Sequence, residues 1–288
     1  MDQFKTFILL THSKVYKNIR LIDQVDCMIT VTSKWLVGHL DDPDLVIIDS
    51  RGIMPYRVSH IKNARYLEFE KVISLADNGA NLVLDRSLAE DLFSTLGIDD
   101  SKIVVVYGEY MDPSSARIAW TLMYHGHPNT KLLDIGFDMW QKEGLPISHG
   151  ARSNINTNMN IPVKFKSKPN HSIRADSDMI RSKQTDPNIV IVDARTPQEH
   201  MQARIPSSIL HNWDEGLGDD GLMFKTKEEL QKDFASKGIT NDKEIICYCH
   251  SGTRAAHKYL QFKQAGFNNV RLYDGSIIDW AQRHNALR

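Results

Sequence analysis

The sequence predicts an α/β protein made of two tandem domains, each a parallel sheet flanked by helices. Three observations lead to this fold class. The chain has 288 residues, which suits two domains of ordinary size. Its two halves repeat the same short motifs in the same order. Short apolar runs alternate with helical patterns along both halves, as they do in parallel-sheet proteins.

The repeat is carried by four pairs of segments. The second copy of each lies 140 to 144 residues after the first. Such small differences in spacing are what loop insertions produce in a duplicated domain. The paired segments are residues 45–51 with 189–195, 96–98 with 237–239, 103–107 with 244–248, and 133–134 with 273–274. Four matches in one order indicate a duplication rather than chance.

Each half contains the same kinds of element. Continuous apolar runs at 45–48 and 189–192 predict strands that are buried on both faces. Residues 87–93 and 227–234 have apolar spacing typical of helices. Strands that alternate with helices require crossover connections, and these place the strands parallel to one another.

The domain boundaries follow from the composition between the repeats. Residues 149–171 are rich in Asn, Ser, Lys and Pro, which predicts an extended linker. The first domain is then predicted at 29–148 and the second at 172–288. Residues 1–28 match nothing in the second half. They are predicted to be an N-terminal extension, either an extra helix or the product of a start codon assigned too early.

The composition is that of an ordinary globular protein, with 41% hydrophobic and 25% charged residues. A net charge of −1 argues against a nucleic-acid partner. No apolar run reaches the ~20 residues that span a bilayer, so no membrane partner is expected. The chain has three cysteines and no cleavage signal after its apolar run at 7–10, which favours a reducing cytoplasm. Their spacing supplies no four-ligand site, so no metal or other cofactor is expected.

Cys249 occupies the most reactive position in the sequence. It follows an apolar strand predicted at 244–248 and precedes a helix predicted to begin at Thr253 or Arg254. Open α/β sheets bind their ligands at this place, beyond the carboxyl ends of the strands. A helix N-terminus or a neighbouring cation such as Arg254 lowers the pKa of a thiol. This position therefore favours a thiolate nucleophile.

The loop after Cys249 is built from small residues. Ser251 and Gly252 allow it to curl, so that backbone N–H groups converge on one anion. The alternative is a buried and inert structural cysteine, which is a common state of free cysteines. That alternative is the preferred interpretation for Cys247, which lies within the predicted strand and is expected to pack in the core.

These residues resemble the rhodanese family, and the resemblance covers about 30–148 and 172–288. The family's active loop is a Cys followed by four residues and often an Arg, and residues 249–254 match that length. Further family motifs are the Asp-x-Arg signatures at 49–51 and 193–195, and the closing strand and turn at 132–137 with Trp140 and at 271–276 with Trp280.

The resemblance implies a two-domain sulfurtransferase whose second domain is catalytic. The repeat places Gly108 opposite Cys249, and a glycine cannot act as a nucleophile. Cys249 would take a sulfane sulfur from a small donor, hold it as a persulfide, and pass it to a thiol or cyanide acceptor. A sulfur-accepting protein is a further expected partner. The residues expected to bind the substrate are His250, Ser251, Gly252, Thr253, Arg254 and Arg195.

Some of these roles have alternatives. The Asp-x-Arg signature occurs in both the inactive and the active half. This favours structural ion pairs over catalytic roles for Arg51 and Arg195. Thiosulfate is the first expected donor. Members of the family that prefer it can carry a further Arg four residues after the signature Arg, where this chain has Glu199. The runner-up donor is therefore 3-mercaptopyruvate.

Two other functions fit the same motifs. Phosphatases related to rhodaneses have five residues between Cys and Arg, enough to encircle a phosphate, whereas this chain has four. The smaller loop suits sulfur better. A non-enzymatic rhodanese module that only binds partners would fit the first half. The complete loop at 249–254 argues against that alternative for the whole chain.

Overall fold

The computed structural model describes residues 29–150 and 163–284. It contains two five-stranded parallel sheets, one in each half of the chain. The predicted N-terminal extension, residues 1–28, lies outside the described residues. So do residues 151–162, in the predicted linker.

The first sheet has the strand order β1-β8-β7-β2-β4, and every neighbouring pair in it is parallel. Two small antiparallel pairs, β3 with β9 and β5 with β6, lie beside it. The strands are β1 Thr30–Val31, β2 Leu45–Asp49, β3 His60–Ile61, β4 Arg65–Tyr66, β5 Ile73–Leu75, β6 Asn81–Val83, β7 Ile103–Tyr107, β8 Thr130–Leu133 and β9 Ile147–Ser148. The helices are α1 Ser33–His39, α2 Ile53–Val58, α3 Arg86–Thr95, α4 Ser114–Tyr124 and α5 Phe137–Lys142, with a 3₁₀ turn at Phe69–Val72.

The second sheet repeats this order as β10-β14-β13-β11-β12, again with parallel neighbours. Its strands are β10 Arg174–Ala175, β11 Ile189–Asp193, β12 Ile209–Leu210, β13 Glu244–Tyr248 and β14 Val270–Tyr273. Its helices are α6 Ser177–Lys183, α7 Pro197–Gln202, α8 Lys227–Ser236, α9 Thr253–Gln264 and α10 Ser276–His284, with 3₁₀ turns at His171–Ile173 and Trp213–Gly216. The predicted fold class is confirmed.

The strands form where the apolar runs predicted them. In β2, Val46 and Ile48 belong to one hydrophobic cluster and Ile47 to another, so both faces of the sheet are buried. This is why the run is continuously apolar rather than alternating. The central strands also pair in the same register in both sheets. Leu45 of β2 lies opposite Ile103 of β7, and Ile189 of β11 lies opposite Glu244 of β13.

The predicted helices are confirmed, and local signals set their ends. Helix α8 begins after Thr226, whose side chain forms a reciprocal capping box with Glu229. Helix α7 begins after Thr196 with the same arrangement, formed with Glu199. Helix α9 begins at Thr253, which is one of its two predicted starting residues.

The two halves share a hydrophobic cluster. The largest cluster contains β2 and β7 residues from the first sheet and β11 and β13 residues from the second. Helix α4 of the first half packs against helix α9 of the second. The linker residue Phe165 is fully buried in the same cluster, where its ring meets Phe93 at 5.1 Å. The halves are therefore joined by apolar packing as well as by the chain.

Candidate active site

Cys249 lies directly after the last residue of β13 and is only 1% exposed. Its backbone N–H donates to Ser276 Oγ at 3.1 Å, and its carbonyl accepts from the N–H of Ile277 at 3.1 Å. Both partners belong to the start of α10. The cysteine is thus held on one side by a central strand and on the other by a neighbouring helix.

The sulfur of Cys249 faces the N-terminus of α9. Its Sγ atom accepts a hydrogen bond from the backbone N–H of Gly252 at 3.1 Å. Gly252 is the N-cap of the 12-residue helix and has no side chain with which to cap it. The unpaired N–H groups and the dipole at a helix start favour a negative charge. The loop can therefore stabilise a thiolate or a persulfide anion.

Only a glycine fits at position 252. Its φ of +91° lies in the left-handed region, which other residues adopt at a cost. A Cβ atom there would lie 2.5 Å from Arg117 Nη1 and 2.6 Å from the carbonyl oxygen of Asp274. The missing side chain thus lets the loop turn tightly and approach the first half of the molecule closely.

Arg254, predicted to bind the substrate, is paired with Glu199. Two hydrogen bonds of 2.7 Å join its Nη1 and Nη2 to the two carboxylate oxygens. The Arg254 guanidinium lowers the pKa of Glu199 to about 2, so the carboxylate stays ionised at any ordinary pH. The pair is partly exposed and carries no net charge. A substrate-binding role for Arg254 stays a prediction, and Glu199 opposes it.

Arg195 is buried in an ion pair. Its Nη2 lies 2.6 Å from Asp193 Oδ2 and donates to the carbonyl oxygen of Ala203 at 2.6 Å. Asp193 also accepts a hydrogen bond from the Tyr248 hydroxyl at 2.7 Å. A substrate contact would have to displace these partners, so the geometry favours the structural alternative for Arg195.

The first half contains the same ion pair. Arg51 Nη2 lies 2.7 Å from Asp49 Oδ2 and donates to the carbonyl oxygen of Ser59 at 2.6 Å. The Tyr107 hydroxyl donates to the same carboxylate. The Asp-x-Arg signature therefore braces the loop after a central strand in both halves, with or without a nucleophile nearby.

The other predicted loop residues lie at its outer side. His250 is exposed, and Ser251 and Thr253 are half-buried, whereas Gly252 is buried beneath them. A substrate that approaches the sulfur from solvent would meet the first three. Their substrate-binding roles stay predictions.

Cys247 is fully buried within β13 and belongs to the same hydrophobic cluster as Cys249. Burial raises the pKa of its thiol well above the usual range, so it keeps its proton. The site lies near no candidate metal centre: the described residues contain no group of three or more His, Cys, Asp or Glu side chains placed to bind a metal. In the same residues, no helix is long and apolar enough to span a bilayer.

A comparison with known families matches the model of the Rhodanese-like domain twice, at residues 32–143 and 177–283. The chain belongs to the rhodanese family. Each match contains four of the five strands of one sheet, so the repeat seen in the sequence is a repeat of rhodanese domains.

Three similar proteins span nearly the whole rhodanese pair. The sulfur carrier protein TtuD of Thermus thermophilus is 28% identical over 88% of this chain and 93% of its own length. A Mycobacterium bovis protein named "Putative thiosulfate sulfurtransferase 1" is 30% identical over 88% of this chain and 95% of its own. The crystal structure of SseA from Escherichia coli, a 3-mercaptopyruvate sulfurtransferase, is 25% identical with a TM-score of 0.75, and covers 86% of this chain and 98% of SseA.

The first rhodanese domain has Gly108 at the position that Cys249 occupies in the second. A Cβ atom at Gly108 would lie 2.8 Å from Ser50 Oγ, so a larger residue would require the loop to shift. The strand β7 and the helix α4 on either side of this loop are otherwise equivalent to β13 and α9. Among the described residues, the first domain thus keeps the framework of the site without a reactive group at this position.

The sequence analysis missed three residues that surround the loop after Cys249. Ser276 holds the backbone of Cys249, the Asp274 carbonyl closes over Gly252, and Arg117 of the first domain reaches the same glycine. Ser276 and Asp274 lie in the family's closing turn. Arg117 had one available signal, since it is the single charged residue of the otherwise apolar or neutral helix α4.

Proposed function

We propose that this rhodanese-family protein transfers a sulfane sulfur from thiosulfate to a thiophilic acceptor such as cyanide, through a persulfide on Cys249. The observation that carries the proposal is the hydrogen bond from the Gly252 N–H to Cys249 Sγ at the N-terminus of α9. The Gly252 N–H stabilises the negative charge on Cys249 Sγ in the thiolate, and the loop does the same for the persulfide that forms when a second sulfur atom is added.

The proposed reaction has two half-reactions. The Cys249 thiolate attacks the outer sulfur of thiosulfate, the S–S bond of the donor breaks, and sulfite leaves with the electron pair. The product is a Cys249 persulfide. Cyanide carbon then attacks the outer sulfur of that persulfide, thiocyanate leaves, and the thiolate is restored. No redox partner is needed, because each step exchanges one sulfur atom between nucleophiles.

A second donor, 3-mercaptopyruvate, is favoured by the pairing of Arg254 with Glu199. Thiosulfate carries two negative charges, and a neutral ion pair at the mouth of the loop attracts it less than a free arginine would. The likeness to SseA over most of both chains agrees with this alternative. A comparison of kcat/KM for the two donors, with cyanide as the common acceptor, decides between them.

A protein acceptor is the third element of the proposal. The relative from Thermus thermophilus is named a sulfur carrier protein, and this name supports an acceptor that is itself a protein. Replacing cyanide by a dithiol, and then by a thiol-bearing protein, tests whether the persulfide can be discharged by thiols.

The deciding experiment compares Cys249→Ser with the wild type. We expect thiocyanate formation from thiosulfate and cyanide to be lost in Cys249→Ser, and kept in the matched control Cys247→Ala. Intact mass after exposure to the donor should show a gain of one sulfur atom in the wild type and in the control. Equal rates for wild type and Cys249→Ser would remove the persulfide mechanism. Phosphate release from an aryl phosphate would instead support the related phosphatase.

A further inference from the structure

Arg117 is a buried charge that the first rhodanese domain places beside the catalytic loop of the second. Its side chain is 0% exposed, although it stands in the middle of α4 among apolar and small residues. Helix α4 packs against α9, whose first turn carries the loop. Arg117 Nη1 would be only 2.5 Å from a Cβ atom at Gly252.

The guanidinium of Arg117 has few hydrogen bonds. Its Nη2 donates to the carbonyl oxygen of Asn81 at a long 3.4 Å. Within residues 29–150 and 163–284, its Nε and Nη1 atoms have no hydrogen-bond partner. Its charge also lies 5.3 Å from the centre of the Trp120 ring, a weaker attraction. A buried guanidinium with two free donors is costly unless an anion is close.

The repeat supplies a contrast. Lys258 of α9 is the equivalent of Arg117 at the offset of the cysteine loop, and it is equally buried. Its Nζ atom is hydrogen-bonded to His211 Nδ1 at 2.9 Å and to Gln261 Oε1 at 2.5 Å. Lys258 therefore has neutral partners from its own domain, whereas the unpaired Nη1 of Arg117 lies against Gly252 of the other domain.

The nearest carboxylate, Asp274, is bound elsewhere. Its Oδ1 accepts from Arg174 Nε at 2.9 Å and its Oδ2 from the N–H of Val83 at 2.7 Å. Burial lowers the pKa of Arg117, while the negative charges of Asp274 and of a Cys249 thiolate raise it. Arginine nevertheless stays protonated in proteins. A Cys249 thiolate would thus be a second anion within electrostatic reach of Arg117.

Several other charged or titratable groups in the described elements next to Arg117 and Cys249 have partners of their own or keep their proton. Arg254 at the start of α9 is bound by Glu199 of α7, and Cys247 of β13 keeps its proton because burial raises its pKa. In the same described part of the chain, Arg174 of β10 is paired with Asp274, Asp279 of α10 is paired with Arg283, and His250 of the loop is exposed.

We propose that Arg117 is a positioning residue that reaches across the domain interface, holds the loop at Gly252 and stabilises the negative charge on the Cys249 sulfur. The first rhodanese domain, without a nucleophile of its own, then supplies the second with a cation. The benefit to the persulfide rests on the proposed function, but the effect on the thiolate does not require any sulfur transfer.

The test measures the thiolate directly in the full-length protein. Thiolate absorbance near 240 nm is titrated against pH, and the same curve with Cys249→Ser in each background is subtracted, which removes the other two cysteines. We expect Arg117→Met and Arg117→Gln to raise the pKa of Cys249 by about one unit or more. Arg117→Lys should keep most of the wild-type value, because it keeps the charge.

The matched control is Thr121→Val on the same helix. Thr121 is buried and donates to the carbonyl oxygen of Arg117 at 2.9 Å, so this variant perturbs the helix without changing a charge. It should lower Tm and leave the pKa of Cys249 unchanged. An equal pKa in Arg117→Gln and Arg117→Lys would overturn the proposal, even if Arg117→Met fails to fold. If the pKa of Cys249 responds to the Arg117 variants as expected but the wild type transfers no sulfur, the proposed function fails and the role of Arg117 stands.

Discussion

At the scale of single residues, Cys247 and Cys249 have different chemical surroundings although both are buried. Cys247 lies inside β13 among apolar side chains, where burial holds its pKa well above the usual range. Cys249 lies one residue beyond the strand, where the Gly252 N–H points at its sulfur. The reactivity of a cysteine depends on donors that stabilise its thiolate, so position at the strand end separates the two.

Glu199 is predicted to limit the affinity for thiosulfate, because its carboxylate neutralises Arg254. We expect Glu199→Gln to lower KM for thiosulfate by about fivefold, which corresponds to the ~1 kcal/mol of a partly exposed ion pair. Gln can still cap α7 through Thr196. The pKa of Glu199 is about 2, so its carboxyl is ionised above that pH and the difference should not vary between pH 5 and 8. Steady-state kinetics of the wild type and the variant measure this difference in KM.

The matched control for this variant is Glu229→Gln. Glu229 forms the equivalent capping box at α8 with Thr226, and no ion pair of Glu229 with an arginine is found among the described residues. It should leave KM unchanged. An unaltered KM for thiosulfate in Glu199→Gln would show that Arg254 does not meet the donor.

At the scale of elements, the site is a loop between a strand and a helix. The end of β13 sets where Cys249 stands, and the start of α9 sets where the Gly252 N–H points. The helix begins without a side-chain cap, so its first N–H groups remain directed at the loop. Glycine at its N-cap lets the loop close against α4 and the turn after β14.

Gly252→Ala is predicted to disable the site. The added Cβ would collide with Arg117 Nη1 and the Asp274 carbonyl oxygen, and an alanine at this positive φ would be strained. We expect the N–H to turn away from Cys249 Sγ, thiocyanate formation to fall by about 100-fold or more, and stability to fall by more than the ~1–2 kcal/mol of a left-handed residue. Thermal unfolding and activity assays measure the two effects.

Gly238→Ala separates strain from collision. Gly238 also has a positive φ, of +73°, but a Cβ there would have open space. It should lose about 1–2 kcal/mol of stability and keep full activity. Similar activity in the two alanine variants would argue that the tight approach at Gly252 is unimportant for sulfur transfer.

At the scale of the whole molecule, the two rhodanese domains share one hydrophobic cluster. Polar contacts cross the same interface. The Val83 N–H donates to Asp274, and the Tyr110 hydroxyl donates to the carbonyl oxygen of Gly218 at 2.6 Å. Interfaces that are apolar and extensive couple domains, whereas small polar ones leave them free to move. The first domain is therefore part of the folded unit that contains the site.

A single unfolding transition is the expected consequence. Ile48→Ala in the first domain and Ile245→Ala in the second each remove a fully buried side chain of the shared cluster. Each should destabilise the protein by about 2–5 kcal/mol. Both should lower one common midpoint, measured by circular dichroism, by tryptophan fluorescence and by loss of activity. Two transitions, with Ile48→Ala moving only one of them, would contradict coupling.

Much of the site follows from local sequence. The strand and helix patterns, the cysteine at a strand end, the helix start at Thr253 and the glycine at the equivalent position 108 are all local features. Hydrophobic periodicity and turn chemistry depend on residues a few positions apart, so they can be interpreted without a structure. The predictions built on them for fold class and family are confirmed.

The sequence by itself determined the duplicated parallel-sheet fold and the position of Cys249 within it. Only the tertiary structure decided how the charges around that cysteine are used. Glu199 forms an ion pair with Arg254, although the two are 55 residues apart in the sequence. Arg117 reaches Gly252 from the other domain. The physical reason is that an ion pair or a buried cation depends on distances across packed elements. Neither spacing nor composition contains those distances, since packing alone brings such residues together.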